Sequence, residues 1–209
     1  NTRASHGVGV EGVVVPPGAE GGVRQDKARL IDFSVPHAND YLAVNQFTIT
    51  DVNVTTRAKT NRRPDVILFV NGLPLVVIEL KNAADESATV RKAWQQLQTY
   101  YDDIPSLFTY NALLVISDGI DTRLGVLGAG WEHFKPWRTV DGERLDPHAS
   151  GLETLIRGVF EPRVLLDLIR SFIVFEAGES RLVKKIAAYH QYHAVNKAVE
   201  RTVEATAAQ

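Results

Sequence analysis

Cysteine and methionine are both absent from the 209 residues. Without cysteine there is no disulfide scaffold, no thiolate nucleophile and no thiolate zinc site. The composition fits a reducing cytoplasm. Without methionine at position 1, the expectation is a processed fragment or a chain with some residues missing, so the spacings below can hide small gaps. No apolar run is long enough to span a bilayer, and no secretory signal opens the chain. The expected location is therefore cytoplasmic, with no membrane partner. An excess of either charge is lacking as well: 23 Lys and Arg face 25 Asp and Glu, a net charge of −2. A protein that only coats nucleic acid is usually basic overall. An enzyme that sets acidic metal ligands beside a local basic patch stays open. Repeats and low-complexity tracts are also missing.

What is present is a core-forming composition, 44% hydrophobic, too apolar for a disordered tail. Residues 8–15 read as a short strand, followed by a Pro16-Pro17-Gly18 turn. Residues 28–33 and 45–56 read as strands, the second from its β-branched alternation. Residues 66–70 and 75–80 are apolar runs joined by Asn71-Gly72, a strong hairpin signal, and runs this apolar suggest strands covered on both faces. A helix is expected from an Asp85 N-cap to about residue 102, with a buried stripe of Val90, Ala93, Trp94, Leu97 and Tyr101. Pro105 stops it. Residues 112–117 and 123–127 read as strands, and residues 128–150 as a loop whose Trp131 and Trp137 pack rather than stack on bases. Helices follow at 152–159 and 163–172, an extended stretch at 174–176, and a long helix at 180–204. The expected fold is α/β, a mixed central sheet flanked by helices over residues 1–150. Residues 151–209 would form a helical connector, with the boundary between about Asp146 and Pro162.

The chemistry concentrates in Pro64-Asp65, thirteen intervening residues, and Glu79-Leu80-Lys81. Two carboxylates can hold a hard divalent cation such as Mg²⁺. Such an ion polarises a phosphoryl oxygen and lowers the pKa of bound water. A nearby lysine can stabilise developing negative charge or orient the water. Glu79 and Lys81 are two apart on a strand and share a face. The pair ends an otherwise uncharged run, which argues against a solvated edge-strand pair. Asp65 raises a geometric demand. A plain two-residue turn at Asn71-Gly72 would set Asp65 opposite Ile78, facing away from Glu79. A shared metal therefore requires a three-residue loop with a Gly-type bulge, or a bulge within a strand.

On the following helix, Gln96 and Tyr100 are four apart and lie at the edge of the buried stripe. Arg57, Lys59, Arg62 and Arg63 lead into Asp65 and are either DNA-backbone contacts or a solvated basic loop. His190 and His193 have no third ligand nearby and read as structural or interface residues.

Together these residues resemble the PD-(D/E)xK nuclease superfamily, in its branch with a Gln-x-x-x-Tyr motif. Asp65, Glu79 and Lys81 match the catalytic trio, and Gln96-Leu97-Gln98-Thr99-Tyr100 the accessory motif. With Val44-Asn45-Gln46-Phe47, Ile104-Pro105-Ser106-Leu107-Phe108, Ser117-Asp118-Gly119 and Tyr189-His190-Gln191-Tyr192-His193-Ala194-Val195, the chain is similar to the restriction (R) subunit of type I restriction-modification enzymes over most of residues 28–204. That resemblance implies a Mg²⁺-dependent endonuclease acting on double-stranded DNA. It implies coupling to ATP-driven translocation, and assembly with methylation (M) and specificity (S) subunits. S-adenosylmethionine would enter only through the methylation subunit. No G-x-x-x-x-G-K-[ST] phosphate loop occurs here, so residues from about Ser180 are expected to be the truncated entry to the first motor domain, where Gln191 is a candidate adenine contact. Gln96 and Tyr100 are expected to position DNA or the active site rather than bind metal. Many members of the superfamily carry a further acidic residue near the N-terminus, for which Asp32 is the nearest candidate. A DNA-repair or recombination nuclease of the same superfamily, a non-catalytic DNA-binding or assembly module, and a fragment that folds without cutting remain as alternatives.

Overall fold

The structure is a computed structural model that describes residues 13–14, 27–82, 89–178 and 182–207. In chain order the strands and helices are β1 (Val13–Val14), β2 (Lys27–Ala28), β3 (Tyr41–Asn45), β4 (Ile49–Val52), β5 (Lys59–Arg62), β6 (Val66–Val70), β7 (Leu73–Leu80), α1 (Val90–Asp103), β8 (Leu113–Ser117), β9 (Thr122–Gly125), α2 (Gly151–Val159), α3 (Pro162–Ser171), β10 (Ile173–Ala177), β11 (Leu182–Ile186) and α4 (Tyr189–Ala207).

Five of these strands form the central sheet in the order β3-β6-β7-β8-β9. Only β7 and β8 pair in parallel; the other neighbours are antiparallel. The sheet is therefore mixed, as expected. Parallel neighbours need a crossover, and α1 supplies it. The end of β7, the start of α1, the end of β8 and the starts of β6 and β9 thus share one edge of the sheet. Every residue of β8 is buried, as is the stretch from Leu75 to Glu79 in β7, so the second apolar run marks a strand covered on both faces, whereas Val66, Leu68 and Phe69 of the first are only half-buried. The core extends past residue 150. Leu155, Val159, Leu165, Leu166, Leu168 and Tyr192 belong to the same buried cluster as Ile67, Val77 and Leu114.

Several expected elements differ. The stretch 45–56 is not one strand: β3 ends at Asn45, Gln46 takes a left-handed φ of 52°, and β4 begins at Ile49. The basic segment is not a loop, because Lys59–Arg62 is β5 and pairs antiparallel with β4. In the stretch 28–33 only Ala28 is extended. There Asp32 Oδ1 accepts from the backbone N–H groups of Ser34 and Val35, a local turn that competes with strand pairing. The stretch read as a strand over residues 8–15 falls mostly outside the described residues, within which Val13–Val14 pairs with β2. The Pro16-Pro17-Gly18 turn and Asp85 also lie outside them. The N-cap of α1 is Thr89, whose hydroxyl accepts from Lys92 N–H. Its buried stripe takes Tyr100 rather than Tyr101, which is 46% exposed and packs edge-on against Phe108. The expected helix over 180–204 starts only at Tyr189. Before it, β11 forms an antiparallel hairpin with β10, and Lys184 Nζ donates to the Asn111 carbonyl.

Candidate active site

The Asn71-Gly72 connection is a two-residue turn. Val70 pairs with Leu73, and both turn residues have positive φ, 49° and 80°, as a type I′ turn requires. A plain turn is thus what the chain adopts, and the register is restored within the strand instead. Phe69 pairs with Pro74 but Leu68 pairs with Val76, which leaves Leu75 as an extra, bulged residue. The neighbour of the bulge explains its position: Pro74 has no N–H to give to the ladder. The Leu75 carbonyl is used elsewhere, accepting from Ala112 N–H at 2.8 Å and Asn111 Nδ2 at 3.3 Å. Beyond the bulge Val66 faces Ile78, so the next pair outward is Asp65 and Glu79. Of the two ways of meeting the geometric demand, the protein uses the bulge within a strand.

The four polar groups named from the sequence around this point touch in series. Lys81 Nζ donates to Glu79 Oε1 at 2.7 Å and to Gln96 Oε1 at 2.5 Å, and Gln96 Nε2 donates to the Tyr100 hydroxyl at 2.5 Å. Asp65 is fixed from both sides. Its Oδ2 accepts from Leu80 N–H at 2.8 Å and its Oδ1 from Gln46 Nε2 at 2.8 Å. Glu79 is 1% exposed. Burial, with the Asp65 carboxylate beside it, pushes its pKa up to about 7 against the pull of Lys81. Its Oε2 is buried without a hydrogen-bond partner. Burial and the same two carboxylates hold the Tyr100 phenol up at about 12, so it stays a neutral hydroxyl. A buried carboxylate oxygen left without a partner beside a second carboxylate favours a cation. Among the described residues no group of three or more His, Asp or Glu could hold a metal ion. Asp65 and Glu79 stand as a pair.

The other sequence candidates are placed apart from this point. Arg62 is engaged: its Nε meets Asp103 Oδ2 at 2.6 Å, and Asn53 Nδ2 donates to the other oxygen of that carboxylate at 2.6 Å. This network bolts the β4–β5 hairpin to the end of α1. Arg57, Lys59 and Arg63 are exposed, with Arg57 in the hairpin turn at a left-handed φ of 59°. Asp32 belongs to the opposite end of the sheet, linked through Asn39 to Asn71 of the β6–β7 turn. Gln191 turns back on its own helix, and its Oε1 accepts from Ala188 N–H. Trp137 is buried against Tyr189, Tyr192 and His193, and Trp131 carries the guanidiniums of Arg91 and Arg123 at 5.0 and 4.5 Å. Two contributors were not assigned a role from the sequence. Gln46 reaches Asp65 from the strand next to it. Asp118 accepts from Val90 N–H at 3.0 Å and so ties the start of α1 to the end of β8. The Asp118-Gly119 turn was visible, but nothing local says which helix it receives.

Comparison with known proteins gives one consistent result. The family model described as Type I restriction enzyme R protein N terminus matches residues 1–133. The type I restriction enzyme HindI endonuclease subunit of Haemophilus influenzae is 44% identical over 94% of this chain, which covers 18% of that protein. A putative type I restriction enzyme MjaIXP endonuclease subunit of Methanocaldococcus jannaschii is 30% identical over 84% of the chain and 18% of its own length. The type I restriction enzyme EcoprrI endonuclease subunit of Escherichia coli is 30% identical over 59% of the chain and 40% of its own length. The chain thus spans under a fifth of the length of the first two relatives.

Proposed function

The chain belongs to the family of type I restriction enzyme R protein N termini, and on that premise we propose that it is a PD-(D/E)xK nuclease module that hydrolyses phosphodiesters of double-stranded DNA. The observation that carries the reading is the bulge at Leu75, which sets Asp65 beside Glu79 with the Lys81 ammonium on the same carboxylate. Nothing in the packing of an ordinary hairpin asks for two carboxylates to meet at a buried point. The donor set fits Mg²⁺: two carboxylates, one of them with an unpartnered buried oxygen. Water would complete the octahedral shell of such an ion. Asp65 and Glu79 would hold it, and when bound it would supply Lewis-acid polarisation and an activated water.

The remaining work falls to the chain's own groups. Lys81 presents a fixed positive charge where the phosphate gains negative charge in the transition state. Gln96 and Tyr100 are positioning residues. Gln96 Oε1 accepts a hydrogen bond from the Lys81 ammonium, and the Tyr100 hydroxyl, accepting from Gln96 Nε2, holds the amide in the orientation that allows this. Arg57, Lys59 and Arg63 are free to meet the DNA backbone, whereas Arg62 anchors the hairpin. In the whole subunit the module would be driven by ATP-dependent translocation of DNA and work with M and S subunits.

The test is made in the full-length R subunit assembled with its partners. Asp65→Ala and Lys81→Ala should abolish DNA cleavage and leave DNA-dependent ATP hydrolysis intact. Cleavage retained in either variant removes the assignment.

A further inference from the structure

Gln46 enters neither the trio nor the helix pair, yet it is built into the site. It is the residue after β3, and its φ of 52° lies in the left-handed region that a glutamine rarely adopts. That conformation is held from both sides. The Gln46 N–H donates to the Asp65 carbonyl at 2.9 Å, and the ring of the next residue, Phe47, packs edge-on against Phe69 at 6.1 Å. The result is that the side chain turns back across the strand gap, and its amide Nε2 reaches Asp65 Oδ1 at 2.8 Å. With Leu80 N–H on Oδ2, the Asp65 carboxylate has one fixed donor on each oxygen. Its plane is set, and the remaining lone pairs are left for a ligand.

We infer that Gln46 is a positioning residue that orients the Asp65 carboxylate for the divalent cation. The inference rests on the metal-binding reading proposed above. The residue type suits the task. An amide gives a directional hydrogen bond without a charge, so it fixes the carboxylate without competing with a cation as lysine or arginine would. Outer-shell partners of this kind typically govern metal affinity by 10–100-fold.

Gln46→Gly is the decisive variant because glycine accepts the left-handed backbone and keeps the N–H bond to the Asp65 carbonyl. It removes the whole side chain, and with it the amide that reaches Asp65. In the 209-residue chain, Mn²⁺ binding would be measured by titration calorimetry, and metal-free thermal stability by circular dichroism. The expected result is a metal-free Tm within a few degrees of the parent chain and a Mn²⁺ Kd weakened roughly 10–100-fold. Gln46→Asn, whose amide is one methylene shorter, should be weakened as well. Asp65→Asn is the control for the site itself. If Gln46→Gly binds Mn²⁺ as tightly as the parent while Asp65→Asn does not, Gln46 has no positioning role and the metal site stands. If the parent does not bind Mn²⁺, or Asp65→Asn binds as the parent does, the metal reading and this inference fall together.

Discussion

A carboxyl group as deeply buried as Glu79 keeps its proton up to about pH 7, whereas in the unfolded chain it loses it near 4.5. Between those values the folded chain binds a proton that the unfolded chain has released. Stability must therefore fall as pH rises through that window and level off above it, by at most about 1.4 kcal/mol per pH unit. The site is thus destabilising when it is empty and charged, the usual condition of a group set aside for function. Glu79→Gln should remove the slope. Urea denaturation of metal-free protein should find the variant's stability, relative to the parent, higher at pH 8 than at pH 5. The same relative stability at both pH values would show that Glu79 is not held protonated. Mn²⁺ should stabilise the parent at pH 8 and leave the variant unchanged. At this scale the meeting of Asp65, Glu79 and Lys81 was legible in the sequence because residue type and spacing carry it. Gln46 was not, because its role depends on a left-handed backbone turn and on a neighbour across the sheet, neither of which has a local signature.

At the level of elements, β7 shows how the sequence constrained the answer without choosing it. Thirteen residues separate Asp65 from Glu79. A two-residue turn joining evenly paired strands leaves an even number between partners, so one residue had to be surplus. A longer turn and a bulge satisfy that equally well. The overlooked signal was Pro74, which cannot donate to a ladder and marks where pairing breaks. Deleting Leu75 removes that surplus residue, so it should restore uninterrupted pairing and keep Asp65 opposite Glu79. The deletion variant is expected to keep the far-ultraviolet circular dichroism of an α/β protein and to retain Mn²⁺ binding in calorimetry. A folded deletion variant that has lost Mn²⁺ binding would mean that cross-strand register alone does not set the site. In α1 the ambiguity was of another kind. Tyr100 and Tyr101 are adjacent and of one type, and helical periodicity does not decide between neighbours at the border of a stripe. Packing decided it: Tyr100 completes the line Val90, Ala93, Leu97, and Tyr101 is left to Phe108 at the surface. The hairpin of β10 and β11 was hidden because the five residues of β11 sit directly before a good helix. Only pairing with β10 makes them a strand.

Across the whole molecule, the start of α4 packs against the body through an aromatic cluster. Trp137 meets Tyr189, Tyr192 and His193 with ring centroids 5.4–5.5 Å apart, and Phe172 packs at a tilt against Tyr192 at 4.7 Å. Against the pull of Asp141, burial pushes the His193 pKa below the ordinary histidine value. Its sign is opposite to that of Glu79. The unfolded chain takes up a proton below about pH 6.5 that the folded chain resists, so stability is lost as pH falls. His193→Phe, which keeps an aromatic ring in the cluster, should lessen the acid-side loss. Thermal melts at pH 5 and pH 7 should show a smaller difference for the variant than for the parent, and an equal difference would remove the role. No local pattern showed that α4 would seat its first turn on a loop some fifty residues earlier, since that contact is set by the path of the chain. The Lys81 head group, finally, is tied at once to a side chain of the sheet and to a side chain of α1. It works as a gauge of the gap between the two layers. Whatever changes the thickness of the core beneath that helix is passed directly to the ammonium proposed to meet the phosphate.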